Sequence, residues 1–185
     1  MNEGAYALRL ATADDVPALQ VVIDASVRGL APGYYDQAQI DAGMRYIFGV
    51  DTQLIADGTY YTVTHAGVPV ACGGWSGRRT LYGGDQHKHG PDPRLDPASE
   101  PARIRAFFVH PAHARRGLGR RLYDACAEAA MAAGFSRLEL LATLSGVPLY
   151  HALGFASNEE VVVTTANGVA LRGLRMSRAI TTDCA

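Results

Sequence analysis

The chain has 185 residues, of which 48% are hydrophobic and 19% charged, a length and composition suited to one globular domain with a substantial core. Seventeen Lys and Arg against eighteen Asp and Glu leave a formal charge of −1, which disfavours the broad basic surface that nucleic acid as the main partner requires, and none is expected. Cys72, Cys126 and Cys184 are an odd number at wide spacing, which fits neither a disulfide framework nor a zinc pattern, and the expectation is a reducing, cytoplasmic protein. The opening "MNEGAYALRL" lacks the basic start and apolar run of a secretion signal, and no apolar stretch is long enough for a bilayer, so no membrane partner is expected.

"AYALRLAT" alternates apolar and polar residues as a half-buried strand does, and "TADD" supplies capping residues for a helix over Val16 to Arg28. After the breaker "GLAPGYYD", the run "QAQIDAGMRYIF" reads as a second helix interrupted by Gly43. "GTYYTVTHAGVPVACGGW" reads as two strands joined at "HAGVP", with Gly73 and Gly74 marking a bulge or a close backbone approach. From Ser76 to Pro101 the chain is rich in Gly, Pro and Asp and shows no periodicity, which in a loop of this length points to a function such as a mobile lid.

"ARIRAFFVHP" resumes strand composition and stops at Pro111. Leu118, Leu122, Cys126, Ala129 and Ala133 then fall on one face of a helix, with Arg121, Asp124 and Glu128 off it and Gly134 at the C-terminal stop. "RLELLAT" is a buried-type strand, "SGVPLYHAL" a short helix capped by Ser145 and stopped by Gly154, and "EEVVVTT" and "VALRGLRM" form a closing hairpin around "ANG". The elements amount to one α/β domain over residues 1–185, with a mixed, mostly antiparallel sheet flanked by helices and no dividing linker.

The junction "ARRGLGR" between the fourth predicted strand and its helix concentrates positive charge where side chains are small. A helix start offers unpaired N–H groups and a favourable dipole, and glycine lets an anion approach the backbone, so Arg115, Arg116, Gly117, Leu118, Gly119 and Arg120 form a candidate diphosphate site. The Gly-Lys-Ser/Thr ending of a Walker loop is absent, and the third glycine of a dinucleotide fingerprint is replaced by Leu122. A plain tight turn is the alternative reading.

The run "FFVHPAHARRGLGRRL" followed by "LYHALGF" resembles the core of the GNAT family of acetyl-CoA-dependent N-acetyltransferases, closely from about Ile104 to Phe155 and elsewhere in element order. One departure is that the family's first Arg or Gln falls at Ala114. The resemblance implies a GNAT-type fold, acetyl-CoA as cosubstrate and an amine of a small molecule or peptide as acceptor. It implies that Phe107, Phe108 and Val109 bind the pantetheine arm through their backbone, with the Val109 amide donating to the thioester oxygen, and that Thr143 and Ser145 contact the cofactor. Tyr150 takes the place of the tyrosine that protonates the departing thiolate, a role a phenol with a pKa of about 10 can fill at neutral pH. A homodimer is a further possibility by resemblance.

The general base has no obvious owner, because the family's strand glutamates fall at Arg103 and Ala106. His110, His113, Glu100 and a water chain are candidates, as is an acceptor amine of low pKa that needs no strong base. Arg103 and Arg105 lie two apart on a strand and share a face, so they either meet an anionic acceptor or form structural ion pairs. Trp75, Tyr34 and Tyr35 either line the acceptor pocket or pack as ordinary aromatics, and His87 and His89 lack further ligands for a metal site. The alternative from another class is a non-catalytic acyl-CoA binding module.

Overall fold

The computed structural model describes residues 5–180, so Cys184 lies outside the described residues. The elements in order are β1 (Tyr6–Leu10), α1 (Val16–Leu30), α2 (Gln37–Tyr46), α3 (Thr52–Ala56), β2 (Tyr60–His65), β3 (Val68–Ser76), β4 (Ala102–Val109), α4 (Leu118–Ala132), β5 (Arg137–Thr143), α5 (Val147–Ala152), β6 (Ala156–Thr164) and β7 (Ala170–Ala179). The strands form one seven-stranded sheet in the order β1-β2-β3-β4-β5-β7-β6. All described pairs are antiparallel except β4 with β5, whose connection runs through α4, as a parallel pair requires.

Local chemistry accounts for most of these elements. Asp15 accepts from the Thr12 amide at 2.8 Å and pairs with Arg9 at 2.7 Å, fastening the turn that leads into α1. Asp36 accepts from the Gln39 amide at 2.8 Å while the Gln39 side chain accepts from the Asp36 amide at 3.0 Å, a reciprocal cap that starts α2. Gly43 does not interrupt this helix: it is buried inside it, and the Phe48 ring lies where a Cβ would stand. Helix α3 was not expected; Asp51 caps it by accepting from the Gln53 amide at 3.1 Å.

Helix α1 packs on one face of the sheet, with a core that includes Leu19, Ile23, Leu54 and Tyr60. Helix α4 packs on the other, and its buried face is broader than the periodicity suggests, taking in Tyr123, Ala127 and Ala130, while Ala133 is exposed. Helix α5 begins at Val147 with Gly146 as its cap; Ser145 does not cap it but lies 3.2 Å from the Thr143 hydroxyl.

Strand β4 is irregular in two places, and both open the sheet near its centre. Opposite the single residue Gly73 of β3 stand two residues of β4, Ala106 and Phe107, with Ala106 at φ +54°, a β-bulge. An ideal Cβ on Gly73 would sit 2.3 Å from the Phe107 ring, so only glycine lets that ring cross the neighbouring strand. Strands β4 and β5 pair only at Ala102 with Leu138 and Arg103 with Glu139, and beyond these positions they part. Glu139 is held at that fork by Arg103 and by Arg175, the latter at 2.7 Å.

Candidate active site

A cavity of about 740 Å³ threads the gap between the parted ends of β4 and β5. Of the residues singled out in the sequence, Phe107, Phe108, Val109, Arg115, Gly117, Leu118, Gly119, Arg120, Thr143, Ser145 and Tyr150 all line it. Arg116 does not: its side chain is exposed.

One end of the cavity is the turn before α4. Arg115 and Gly117 both adopt the left-handed region, at φ +60° and +80°, with Gly117 as the helix cap. The amides from Arg115 to Arg120 have no protein acceptor among the described residues, and a Cβ on Gly117 would meet no protein atom within 4 Å. Consecutive free N–H groups around alternating left-handed residues, at the start of a fifteen-residue helix, make a concavity that suits an anion. The same geometry disfavours the plain-turn alternative, in which the amides would close on the turn's own carbonyls.

Midway lies β4 beyond its bulge. The His110 amide bonds to the Val70 carbonyl of β3 at 2.8 Å, and by the alternation of a strand the Val109 amide points the other way, into the gap. There it donates to the Ser26 hydroxyl of α1 at 3.2 Å. Ser26, buried within α1, carried no sequence signal.

Tyr150 reaches the cavity from α5. Its ring stands 6.3 Å from Phe107 and 5.7 Å from Phe155, and its hydroxyl has no hydrogen-bond partner among the described residues. Burial raises the phenol above its ordinary pKa, with the neighbouring Cys126 acting in the same direction, so the hydroxyl holds its proton throughout the neutral range.

The other end of the cavity is walled by the end of α1, the turn before α2, Ile47 to Gly49, and the segment Leu81–Gly84. Tyr34 and Tyr35 both line it. Tyr35 also ties the turn before α2 to the β5–β7 side of the gap, donating to the Arg172 carbonyl at 2.6 Å and accepting from the Leu144 amide at 2.9 Å. Trp75 lies elsewhere, in the core beneath α4 and 6.0 Å from Phe135. Phe48 and Tyr82, not singled out in the sequence, also line this end, with Phe48 edge-on to Phe108 at 6.2 Å.

The arginine pair is structural. Arg103 binds Glu139, and Arg105, only 2% exposed, binds Asp51 at 2.8 Å and the carbonyls of Thr80 and Gly83 at 2.8 and 2.6 Å. Asp51, wholly buried, also takes Lys88. Desolvation lowers the Arg105 pKa, opposed by the Asp51 carboxylate. Both guanidinium charges are therefore already paired within the protein, although the buried Nε of each has no partner among the described residues. The same contacts fasten the long loop: with the Arg78–Asp57 pair at 2.6 Å and the Asp85 carboxylate accepting from the Thr52 amide at 3.0 Å, residues 76–101 form an anchored wall rather than a free lid.

None of the proposed bases lines the cavity. His110 accepts from the Ala112 amide at 3.2 Å and so acts as a turn residue, His113 lies 2.9 Å from the Tyr6 hydroxyl, and Glu100 accepts from the Asp96 amide at 2.8 Å. His87 packs against Tyr82 with ring centroids 4.8 Å apart.

A family model described as the Acetyltransferase (GNAT) family matches residues 26–155, which include the bulge, the free-amide turn and Tyr150. The chain belongs to the GNAT family. Its seven-stranded mixed sheet flanked by helices is the GNAT fold, shared with a GCN5-related N-acetyltransferase from Rhodopseudomonas palustris at TM-score 0.70 and 22% identity, over 97% of this chain and 99% of that one. It is similar also to yncA, a putative acetyltransferase from Salmonella typhimurium solved with acetyl-CoA, at TM-score 0.61 and 18% identity over 98% and 97% of the two chains. A phosphinothricin acetyltransferase from Sinorhizobium meliloti, in complex with AcCoA, matches at TM-score 0.62 and 19% identity over 95% and 88%. No curated protein matches the sequence. Membership in GNAT supports acetyl transfer in general, and no described helix is long and apolar enough to cross a membrane.

Proposed function

We propose that this GNAT protein transfers an acetyl group from acetyl-CoA to the primary amine of a small molecule or peptide by direct attack. The observation that carries the reading is the continuity of one cavity from the unpaired amides of Arg115 to Arg120, past the bulge of β4, to the Tyr150 hydroxyl and on to a walled space beyond.

In this reading the diphosphate of acetyl-CoA rests against those amides, with Arg115 and Arg120 lending charge, and Gly117 and Gly119 keep the approach open. Backbone groups of Phe107 and Val109 hold the pantetheine arm, and Thr143 and Ser145 flank it. The Val109 amide exchanges Ser26 for the thioester oxygen and stabilises the charge that develops there. Tyr150, kept protonated by burial, donates to the departing sulfur.

The test is thiol release from acetyl-CoA with a panel of amines, with the acetylated product identified by mass. Amine-dependent release supports the reading. Because no Asp, Glu or His lines the cavity among the described residues, a non-catalytic acyl-CoA binding module is the second reading, and tight binding without release under any amine would select it.

A further inference from the structure

We propose that the acceptor is an amine attached directly to an aromatic ring, or one of similarly low basicity, which enters the site uncharged. The inference rests on the transfer reading above and deepens it by naming the substrate class.

Two observations carry it. The far end of the cavity is lined with rings, Tyr34, Phe48, Tyr82 and Phe108, backed by the aliphatic side chains of Leu30 and Leu81. A planar apolar body fits such walls, stacking or packing edge-on as Phe48 and Phe108 already do. Secondly, no Asp, Glu, His or Lys lines the cavity among the described residues. Its charged members are Arg115 and Arg120 at the anion turn and Arg105, which is 2% exposed and already bound to Asp51 and two carbonyls.

An alkylammonium ion entering this space would lose its water and find no counter-charge, at a cost of several kcal/mol. Nor would it find a group to take its extra proton before attack. An amine with a pKa of about 10 is neutral in only about one molecule in a thousand at pH 7, whereas a ring-bound amine is almost wholly neutral there. A free carboxylate on the acceptor gains little either, since the Arg105 charge is already paired with Asp51 and both its terminal nitrogens are bonded, leaving only the buried Nε without a partner among the described residues.

The proton balance closes without a carboxylate or imidazole. The neutral nitrogen forms a bond to the acetyl carbon and the carbon–sulfur bond breaks. Nitrogen loses one proton and sulfur gains one. Tyr150 gives its proton to sulfur and is restored by the proton from nitrogen, so the products are the amide and the free thiol, with the phenol unchanged.

The experiment compares two isomers, 4-methylaniline and benzylamine, as acceptors in the thiol-release assay between pH 6 and 9. The expected result is that kcat/KM for 4-methylaniline exceeds that for benzylamine at pH 7 by at least about tenfold and stays flat with pH, while that for benzylamine climbs about tenfold per pH unit below its own pKa. Tyr82→Ala should raise KM for 4-methylaniline and leave KM for acetyl-CoA within about twofold. Preference for benzylamine at pH 7 with a flat profile would overturn the acceptor class while leaving acetyl transfer intact. Saturable acetyl-CoA binding with no release by either isomer or by any wider panel of amines would overturn the transfer reading, and the acceptor class with it.

Discussion

Replacing Tyr150 by Phe removes one oxygen and leaves the packing almost untouched. The ring keeps its neighbours Phe107 and Phe155, and because the hydroxyl has no protein partner among the described residues, no donor or acceptor is orphaned. Stability should therefore change by less than about 1 kcal/mol, which for a domain of this size moves Tm by no more than about 2–4 °C. The chemical loss should be far larger. A positioned proton donor contributes on the order of 10²–10⁴-fold, so kcat should fall by at least about a hundredfold, equivalent to about 2.7 kcal/mol of barrier. Binding of acetyl-CoA, which the proposal assigns mainly to backbone groups near Arg115 to Arg120, should stay within about twofold. The pH profile supplies a second check. In the proposed role the phenol acts while protonated, and its pKa is raised by burial, so wild-type kcat should show no alkaline loss from this group up to about pH 10, its ordinary value. Steady-state thiol release, calorimetric titration with acetyl-CoA and a thermal melt separate these effects. An unchanged kcat, or a large fall in Tm with proportionate loss of binding, would refute the reasoning.

Asp51→Asn should leave the Arg105 and Lys88 charges poorly compensated in the interior and cost about 3–5 kcal/mol, read as a lower denaturation midpoint; the double variant Asp51→Leu with Arg105→Met should recover part of it. Gly73→Ala should push the Phe107 ring out of its crossing, costing about 1–3 kcal/mol and lowering turnover at least about tenfold, as measured by denaturant titration and thiol release. Gly117→Val puts its Cβ where no protein atom lies within 4 Å but strains a backbone at φ +80° and crowds the free amides, so the acetyl-CoA Kd should rise at least about tenfold by calorimetry. Asp57 has its carboxyl pKa lowered mainly by the Arg78 hydrogen bond; its stabilisation is therefore present above the unfolded value of about 3.9 and lost as pH falls through the lower folded value. Asp57→Asn should accordingly flatten the acid limb of an unfolding curve below about pH 4.

The fold was largely legible because its signals are local. Alternation marks β1, the apolar face from Leu118 to Cys126 marks α4, and the pairing of a glycine-rich turn with a later Tyr-x-x-x-Gly-Phe marks the family. What the sequence hides depends on contacts far apart along the chain. That Arg105 is consumed by Asp51 and by the carbonyls of Thr80 and Gly83 emerges only when β4, α3 and the long loop meet. The same holds for Ser26 beneath the Val109 amide and for Phe48 and Tyr82 on the cavity wall, none of which lies in a motif. The cap of α3 was readable in "VDTQ", where an Asp precedes a helix start, but a five-residue helix has too few turns to show a period. Gly43 misleads for the converse reason: its backbone freedom argues for a break, whereas its missing side chain is what the Phe48 ring requires.

The proposed chemistry turns on where acetyl-CoA lies, and a crystal structure of its complex with this protein tests that most directly. The predicted result has diphosphate oxygens accepting from the amides between Arg115 and Arg120, and the sulfur within hydrogen-bond reach of the Tyr150 hydroxyl. A diphosphate bound away from that turn, or a sulfur on the opposite side of β4 from Tyr150, would contradict it.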